Sequence, residues 1–359
     1  MRPLPGLQHD VPLAPLTTIQ VGGPARYYLR AENRERVEEG VAWAREHQLP
    51  LFVLGGGSNI VVADDGFPGL VLHLALRGFT VMRNGHAHLG AAAGESWDAL
   101  VAAAVERGWA GVECLSGIPG LVGAAPIQNV GAYGQDVAET IIRVEVVDLA
   151  DGGSLTLSNE DCCFAYRHSR FKGDDRGRYL ILGVTFSLRP GGAPALRYPE
   201  LEQHLLMRGI SNPTLRDVRS SVLDVRRRKS MVLDPLDPHS VSVGSFFMNP
   251  VVSEAKEVEV REVLRGKGES ELADAMPAFL VRGGQVKLSA AWLIERTGLG
   301  RGYRRGNVGI SVNHALAIVN YGGGTAGEIL DLAREIGQRV LDSFGITLVP
   351  EPVFVNLDF

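Results

Sequence analysis

Three glycines followed by serine and asparagine lie between two short apolar runs, and this composition suits a turn that binds an anion. Consecutive glycines let neighbouring backbone N–H groups point into one concavity, where they bind phosphate oxygens. No Gly-Lys-Ser/Thr follows, which argues against a nucleotide-triphosphate P-loop. Taken alone, the segment could also be a plain connection between two strands. We call residues 55–59 the glycine turn, which consists of Gly55, Gly56, Gly57, Ser58 and Asn59.

A second stretch, residues 115–134, has the composition of a ligand-binding surface, and we call it the glycine segment. It contains too many glycines for the interior of a helix or strand and too many apolar side chains for a solvated loop. Such a composition suits a backbone that lies flat against a large planar ligand, with Gln128 and Asn129 supplying hydrogen bonds to its edge. Neither stretch has the G-x-G-x-x-G pattern between a strand and a helix, which argues against a Rossmann domain.

Metal-binding and disulfide chemistry are not predicted. His86 and His88 lie two apart on one predicted strand, but no further ligand cluster accompanies them, so we expect solvated histidines and no metal site. The three cysteines, Cys114, Cys162 and Cys163, are an odd number without a C-x-x-C spacing. They predict buried free thiols in a reducing cytoplasm.

Helices and strands must position these stretches, and their pattern indicates α+β structure. Val37 and Val41 follow helical spacing, and Pro50 ends that predicted helix. Residues 51–54 and 60–63 are apolar and predict the strands on either side of the glycine turn. Helix and strand therefore alternate in the first part of the chain.

Hairpins and a capped helix are predicted around the glycine segment. Asn84-Gly85 and Gly152-Gly153 each separate two β-like runs, as the turn residues of a hairpin do. Ser96 is placed to cap a helix over residues 97–109.

Near the C-terminus, Thr325 and Glu328 form a capping box that opens a helix ending at Gly345. The residues after this helix predict an extended end strand, and we expect it to return to the first part of the chain.

Bulk properties limit the possible partners. The chain has 359 residues, more than one core usually holds, so two or three domains are expected. A formal net charge of -5 argues against nucleic acid or an anionic membrane surface as the main partner. The N-terminus lacks the features of a signal peptide, and no apolar run is long enough to span a bilayer. We expect a cytoplasmic protein that is a monomer or a weak homo-oligomer.

The two glycine-rich stretches together resemble the FAD-binding module shared with vanillyl-alcohol-oxidase-type flavoproteins. The glycine segment, FAYRHSRFK (164–172) and GSFFMNP (244–250) resemble the UDP-N-acetylenolpyruvoylglucosamine reductase family. The resemblance runs in order from about Pro15 to Phe354 and ends with a matching Pro-Glu pair. Tyr198 resembles a tyrosine that one subtype of the family carries on a loop that closes over the substrate, so the chain is similar to that subtype.

The resemblance implies the reaction, the cofactors and the domains. FAD, bound without a covalent link, takes a hydride from NADPH and passes it to the enolpyruvyl ether of UDP-N-acetylglucosamine. The product, UDP-N-acetylmuramate, is a peptidoglycan precursor, and NADPH and the UDP-sugar would use one pocket in turn. The implied fold is α+β with three domains: residues 1–75 with 338–359 and residues 76–228 bind FAD, and residues 229–337 bind the substrate.

Three residues match the catalytic positions of the family. Hydride addition leaves a carbanion beside a carboxylate, which requires a nearby cation and a positioned acid. Arg167 matches the arginine that activates the carboxylate, Ser245 the proton donor, and Glu351 a second acid. Outside the family motif, their ordinary roles would be a surface ion pair, a hydroxyl bonded to backbone, and an exposed carboxylate.

Further positions match binding residues of the family. Basic residues 226–229 also stand at a predicted helix C-terminus, where cations stabilise the helix dipole, and for three of the four we favour that role. The expected FAD contacts are the glycine turn together with Gly117, Ile118, Gly123, Ala124, Gln128, Asn129, Gly131 and Ala132. The expected substrate contacts are Tyr133, Tyr198, Lys229, Asn249 and Lys287.

Two departures from the family pattern bear on substrate binding. Met248 stands where many members carry lysine, and Val353 stands where some carry arginine. Substrate contacts at those two positions are therefore not carried over to this chain.

Two alternative functions share part of this evidence. A flavin-dependent sugar or alcohol oxidase would use the same FAD module, but it would have no need for Arg167, Ser245 and Glu351 together. A flavin or UDP-sugar binding protein without catalysis is the other alternative. NADPH oxidation that depends on the UDP-sugar distinguishes the three.

Overall fold

The computed structural model describes residues 4–84, 86–281 and 283–359, without the side chains of Arg83 and Asn84. The chain divides into two compact units. The first unit contains the described residues up to Leu16, Gly23–Ser58 and Asp65–Leu233. The second unit contains Thr17–Gly22, Asn59–Asp64 and Asp234–Phe359.

Helices and strands occur in both units, which confirms the α+β class. The strands are β1 Gln8–Pro12, β2 Pro24–Ala31, β3 Leu51–Leu54, β4 Ile60–Val62, β5 Phe67–Leu74, β6 Phe79–Asn84, β7 His86–Ala92, β8 Trp109–Ala110, β9 Gly131–Ala132, β10 Gln135–Asp136, β11 Ile141–Asp148, β12 Ser154–Ser158, β13 Tyr179–Pro190, β14 Ser242–Ser245, β15 Val251–Ser253, β16 Ala278–Val281, β17 Gln285–Leu288, β18 Arg304–Arg305, β19 Val308–Ile310, β20 Ala317–Asn320 and β21 Val353–Val355. The α-helices are α1 Arg34–Glu46, α2 Trp97–Glu106, α3 Pro199–Met207, α4 Leu215–Arg228, α5 Glu254–Gly266, α6 Ser270–Asp274, α7 Ala290–Glu295 and α8 Ala326–Phe344.

Two sheets form the frame of the first unit. In the sheet β1-β2-β5-β3, strands β2, β5 and β3 run parallel and β1 is antiparallel to β2. Helix α1 buries Val37 and Val41, the apolar positions predicted to face the core. The other sheet has the antiparallel order β12-β11-β13-β7-β6, with β8 paired to β13.

The predicted hairpins and the capped helix of the first unit are present. Strands β6 and β7 pair, as do β11 and β12, although the turn residue Gly85 lies outside the described residues. Ser96 caps α2, and its side chain accepts a hydrogen bond from the N–H of Ala99.

Helix α3 was not among the predicted elements. Tyr198 precedes it as the N-cap residue, in extended conformation at the end of residues 192–198, which have no regular secondary structure, and Pro199 occupies the first helical turn. A proline is favourable there because the N–H that it lacks would have no intrahelical partner. The order Tyr-Pro-Glu is therefore a helix start that the sequence analysis did not use.

The second unit has a four-stranded sheet, β14-β20-β19-β18, and a three-stranded sheet, β15-β17-β16. Helix α8 begins at the predicted capping box of Thr325 and Glu328 and ends before Gly345, whose φ of 61° is left-handed. The end strand β21 pairs in parallel with β4, so the chain does return to an early segment. Within the described ranges, no helix is long and apolar enough to cross a membrane.

Candidate functional site

Residues 55–58 of the glycine turn and the glycine segment lie against each other in the first unit. The Ser58 hydroxyl donates a hydrogen bond to the carbonyl oxygen of Pro119, with an oxygen–oxygen distance of 3.1 Å. A Cβ added at Gly56 would lie 2.9 Å from the Cα of Gly120, which is closer than side chains tolerate. The two stretches that sequence analysis assigned to one ligand are therefore neighbours in space.

The surface that these stretches offer fits a large planar cofactor such as FAD. A Cβ added at Gly55 would meet no described atom within 4 Å, so this side of the turn faces open space. Gly56 of the glycine turn and Ala124 of the glycine segment are exposed. Ile118 and Ile127, also in the glycine segment, are half-buried apolar residues. Open backbone and partly covered apolar side chains are typical of cofactor sites.

Two of the predicted FAD contacts have a packing role as well. A Cβ at Gly123 would lie 2.6 Å from the Cβ of Ala93, and the N–H of Gly123 donates to the Ala93 carbonyl oxygen at 2.9 Å. Gly117 is buried, has a φ of 70°, and a Cβ there would lie 2.7 Å from Leu223. Close packing against Ala93 requires glycine at position 123, and the left-handed φ favours glycine at position 117, whatever ligand binds nearby.

A carboxylate anchors the start of the glycine segment. Asp98 on α2 accepts a hydrogen bond from the N–H of Gly117 at 2.6 Å. Arg219 on α4 donates two hydrogen bonds to the same carboxylate, at 2.6 and 2.8 Å. Burial acts to raise the pKa of Asp98, but these hydrogen bonds and the nearby arginine charges outweigh it and hold the pKa below its ordinary value.

Arg167 is bound to the glycine segment. Its guanidinium donates to the carbonyl oxygen of Gly131 at 2.5 Å and contacts that of Asn129 at 3.5 Å. The Asn129 amide in turn donates to the Ala165 carbonyl at 3.0 Å. A Cβ at Gly131 would lie 2.9 Å from Nη1 of Arg167, so a glycine leaves the room that this side chain needs.

Three of the five predicted substrate residues form one cluster in the first unit. The rings of Tyr133 and Tyr198 meet edge to face, with their centroids 5.4 Å apart. Lys229, at the C-cap of α4, forms an ion pair with Glu200 on α3 at 2.6 Å. Burial raises the pKa of Tyr133 to about 12, with the charge of Glu200 adding to the effect. Tyr133 is therefore neutral at physiological pH.

The buried Arg226 belongs to the same cluster, and sequence analysis missed it. One amino group donates to the Met231 carbonyl at 2.6 Å, and the guanidinium also forms a hydrogen bond with Tyr133. Among the described residues its Nε has no hydrogen-bond partner. Burial lowers the pKa of Arg226. The sequence shows only a basic run at a helix end, which predicted a solvated residue interacting with the helix dipole.

Ser245 and Glu351 lie on neighbouring segments of the second unit. Ser245 ends β14, and the next residue, Phe246, accepts a hydrogen bond from the N–H of Glu351 at 2.8 Å. The side chain of Asn59 donates to the Glu351 carbonyl at 3.4 Å. The last residue of the glycine turn thus contributes to the second unit. Arg167 belongs to the first unit, whereas Ser245 and Glu351 belong to the second.

Asn249 and Lys287, the other predicted substrate residues, are also in the second unit. The Asn249 side chain accepts a hydrogen bond from the N–H of Ala290 at 2.9 Å, which fixes it at the start of α7. Lys287 is half-buried on β17, opposite Val251 in the strand pairing. Across the described residues, no group of three His, Cys, Asp or Glu side chains could hold a metal ion.

Family models match both parts of the chain. Residues 25–158 match a model described as an FAD binding domain, and this range includes the glycine turn and the glycine segment. Residues 234–355 match the C-terminal domain of UDP-N-acetylenolpyruvoylglucosamine reductase, a range that includes Ser245 and Glu351. Arg167 lies outside both ranges.

The chain is similar to named reductases along nearly its whole length. UDP-N-acetylenolpyruvoylglucosamine reductase from Streptomyces coelicolor is 46% identical over 97% of this chain and 90% of that protein. The protein of the same name from Thermobifida fusca is 44% identical, with 97% and 98% covered. The crystal structure of UDP-N-acetylenolpyruvylglucosamine reductase from Thermus caldophilus superposes with a TM-score of 0.63 at 26% identity, covering 97% of this chain and 99% of that one.

Proposed function

The chain belongs to the UDP-N-acetylenolpyruvoylglucosamine reductase family, and from this membership we propose that Arg167, Ser245 and Glu351 carry out its reaction. The protein is an FAD-dependent oxidoreductase of peptidoglycan precursor synthesis. It reduces the enolpyruvyl ether of a UDP-sugar, and NADPH is the hydride donor. The observation that carries this function is the similarity to named reductases along nearly the entire chain.

FAD supplies the hydride-transfer chemistry when it is bound. The open face at Gly55 and the close approach of Gly56 to Gly120 support the glycine turn as a site for its phosphates. The half-buried apolar residues of the glycine segment support contact with its ring system. The residues proposed to hold FAD are Gly55, Gly56, Gly57, Ser58, Asn59, Gly117, Ile118, Gly123, Ala124, Gln128, Asn129, Gly131 and Ala132.

Arg167 binds the carboxylate of the enolpyruvyl group. A guanidinium offers two parallel N–H groups to a carboxylate, and its charge stabilises the enolate-like electron density that hydride addition produces. The hydrogen bond to the Gly131 carbonyl supports this role, because it restricts the rotamers of the side chain before substrate arrives. Lysine, with a single ammonium group, cannot reproduce this arrangement.

Ser245 donates the proton that completes the reaction. Glu351 is a second acid, on a segment that is hydrogen-bonded to the residue after Ser245. The hydrogen bond from the Glu351 N–H to the carbonyl oxygen of Phe246 supports their joint action, because Phe246 is the residue directly after Ser245. Pro350 and Pro352 flank Glu351 and restrict its backbone. Both residues are half-buried, which leaves their side chains accessible to a ligand.

Tyr133, Tyr198, Lys229, Asn249 and Lys287 bind the UDP-sugar in this proposal. Lys229 already faces an anion, Glu200, and a diphosphate would compete with that carboxylate for the ammonium group.

We also propose three domains, with residues 1–75 and 338–359 forming the first, 76–228 the second and 229–337 the third. Cys114 and Cys162 are buried free thiols, whereas Cys163 is exposed, contrary to the prediction of buried thiols. Three cysteines without a disulfide support a reducing, cytoplasmic location. The proposed state is a monomer or a weak homo-oligomer.

An anaerobic absorbance experiment tests the function. The purified protein should be yellow, and acid precipitation should release its flavin into solution. NADPH should bleach the flavin, and the enolpyruvyl UDP-sugar should restore the colour. A flavin that NADPH reduces but only oxygen reoxidises would indicate an oxidase. A flavin indifferent to NADPH would indicate a binding protein without this catalysis.

A further inference from the structure

His314 lies beside the proposed proton donor. The Oγ of Ser245 is 3.4 Å from the Nε2 of His314, although the two residues are 69 positions apart in the sequence. Both side chains are half-buried. The motif that identified Ser245 gives no indication of this contact, because no residue near GSFF in the sequence relates it to residue 314.

Backbone pairing holds the two residues together. Strand β14 pairs with β20, and Ser245 stands opposite Ala317 in this register. The N–H of Ala317 donates to the His314 carbonyl oxygen at 3.1 Å, which closes a turn. The N–H of Phe246 donates to the Leu316 carbonyl at 2.8 Å on the other side of Ser245. The position of His314 therefore follows from the strand pairing that positions Ser245.

A serine acting alone is a poor proton donor near neutral pH. Loss of its proton leaves an alkoxide, which is high in energy unless the oxygen regains a proton at once. Histidine is the side chain whose charge changes most readily in this pH range, and it serves as a proton shuttle for that reason. A ring nitrogen within reach of the serine oxygen can supply the missing proton.

We propose that His314 is a positioning residue that orients the Ser245 hydroxyl and returns a proton to it during the reaction. The inference rests on the proposed role of Ser245. It adds a second group to the acid, so that the proton donor is a serine–histidine pair.

The proton passes from His314 to Ser245 and from Ser245 to the substrate. Hydride arrives at the β-carbon of the enolpyruvyl group, and the electron pair of the C=C bond becomes localised on the α-carbon and its carboxylate. The α-carbon forms a C–H bond with the proton of Ser245 as the Oγ–H bond breaks. Oγ takes the proton from Nε2 of the His314 imidazolium, which becomes a neutral imidazole. The imidazole regains its proton from a hydronium ion or buffer acid of the solvent before the next turnover, so each turnover consumes one proton from solution.

Stopped-flow absorbance of the holoenzyme tests the pair, because it separates flavin reduction by NADPH from flavin reoxidation by the UDP-sugar. His314→Ala should leave the reduction rate close to that of the unaltered enzyme. It should slow reoxidation by roughly 10–100-fold, less than the loss of the acid itself. Added imidazole should restore part of the rate in His314→Ala and in no other variant.

His239→Ala is the matched control. Its Nδ1 also lies 3.4 Å from a hydroxyl, that of Tyr321, in the same unit. This variant should keep both half-reactions and should not respond to imidazole. If it slows reoxidation as much as His314→Ala does, the effect is structural and the proposal is overturned.

His314→Gln separates proton transfer from orientation, and it also decides the matter if the alanine variant fails to fold. Glutamine can form a hydrogen bond with Ser245 but cannot donate a proton as an acid at neutral pH. Slow reoxidation in His314→Gln supports the relay, and a full rate overturns it. If Ser245→Ala is slow while both His314 variants keep the full rate, only the relay fails. If Ser245→Ala also keeps the full rate, the proposed role of Ser245 fails.

Discussion

Ser245 is the residue whose role divides the reaction most clearly into two halves. Flavin reduction by NADPH needs no acid at the substrate carbon, so Ser245→Ala should leave its rate close to that of the unaltered enzyme. Reoxidation by the UDP-sugar needs the acid, and removal of a positioned acid slows such a step by about 10²–10⁴-fold. Single-turnover absorbance of the flavin measures each half.

Thermal melting is the control for the Ser245→Ala experiment, because the lost hydroxyl interacts with His314 and its removal costs about 1–3 kcal/mol if a buried partner is left unsatisfied. A well-folded variant with an undiminished substrate half-reaction would show that Ser245 is not the acid. Glu351 would then be the next residue to test.

Tyr198 is expected to act in substrate binding more than in chemistry. Its ring packs edge to face on Tyr133, and 40% of the residue is exposed, so an incoming ligand can reach it. Tyr198→Ala should raise the KM for the UDP-sugar more than it slows flavin reduction by NADPH. Tyr198→Phe keeps the ring contact and isolates the hydroxyl. Equal losses in both half-reactions would instead assign Tyr198 a role in folding.

Among the elements, helices α2 and α4 are joined at the start of the glycine segment by Asp98 and Arg219. The folded state lowers the pKa of Asp98, so its ionised form stabilises the protein above the ordinary value of 3.8. That contribution is lost as pH falls through the lower, folded-state pKa. Asp98→Asn should reduce the free energy of unfolding near pH 7 by about 1 kcal/mol, a modest amount because solvent screens a carboxylate that is 38% exposed.

Chemical denaturation at several pH values measures this difference. The difference in free energy of unfolding between the unaltered protein and Asp98→Asn should be constant from neutral pH to about 5 and should shrink below the ordinary carboxyl pKa. Asp65→Asn is the control, since Asp65 is an exposed carboxylate of the same unit. A difference in free energy of unfolding that grows in acid would contradict the assigned direction of the pKa shift.

The glycine turn allows a test of cofactor binding that does not depend on activity. A Cβ at Gly55 meets no described atom within 4 Å, so Gly55→Ala should leave the melting temperature of the flavin-free protein unchanged. A bound FAD on that face would meet the new methyl group, and its Kd should rise roughly tenfold or more, about 1.4 kcal/mol. Fluorescence titration with FAD measures the affinity.

Gly300→Ala provides the comparison for that titration, because a Cβ there also meets no described atom within 4 Å. It should change neither melting temperature nor FAD affinity. Equal FAD affinity in Gly55→Ala and the unaltered protein would place the cofactor elsewhere.

Local elements were predictable because their signals lie close together in sequence. The Ser96 cap, the capping box at Thr325 and the left-handed Gly345 each depend on neighbours within four residues. The pairing of Ser245 with His314 and the burial of Arg226 depend on contacts between distant segments. A single sequence carries no local signal for such contacts, so these parts of the candidate site required the structure.

At the scale of the whole molecule, the second unit depends on early parts of the chain. Ile19, Val21 and Val61 are buried in the core formed by residues 234–359, and β21 has β4 as its partner. Burial of three such side chains contributes roughly 4–9 kcal/mol, comparable with the total stability of many domains. A fragment of residues 234–359 should therefore show no cooperative thermal unfolding by circular dichroism. A sharp transition with native-like ellipticity would contradict this expectation.

The long reach of these pairings has a consequence for synthesis on the ribosome. The side chain of Asn320 donates to the carbonyl of Ile19 across 301 positions, and β4 pairs with the last strand of the chain. The first unit is complete once Leu233 has been added, whereas translation of the remainder takes on the order of ten seconds. During that interval, residues 17–22 and 59–64 have left the ribosome without the partners that bury them. Nascent chains of this protein should therefore expose the apolar side chains of Ile19, Val21 and Val61 to chaperones until translation ends.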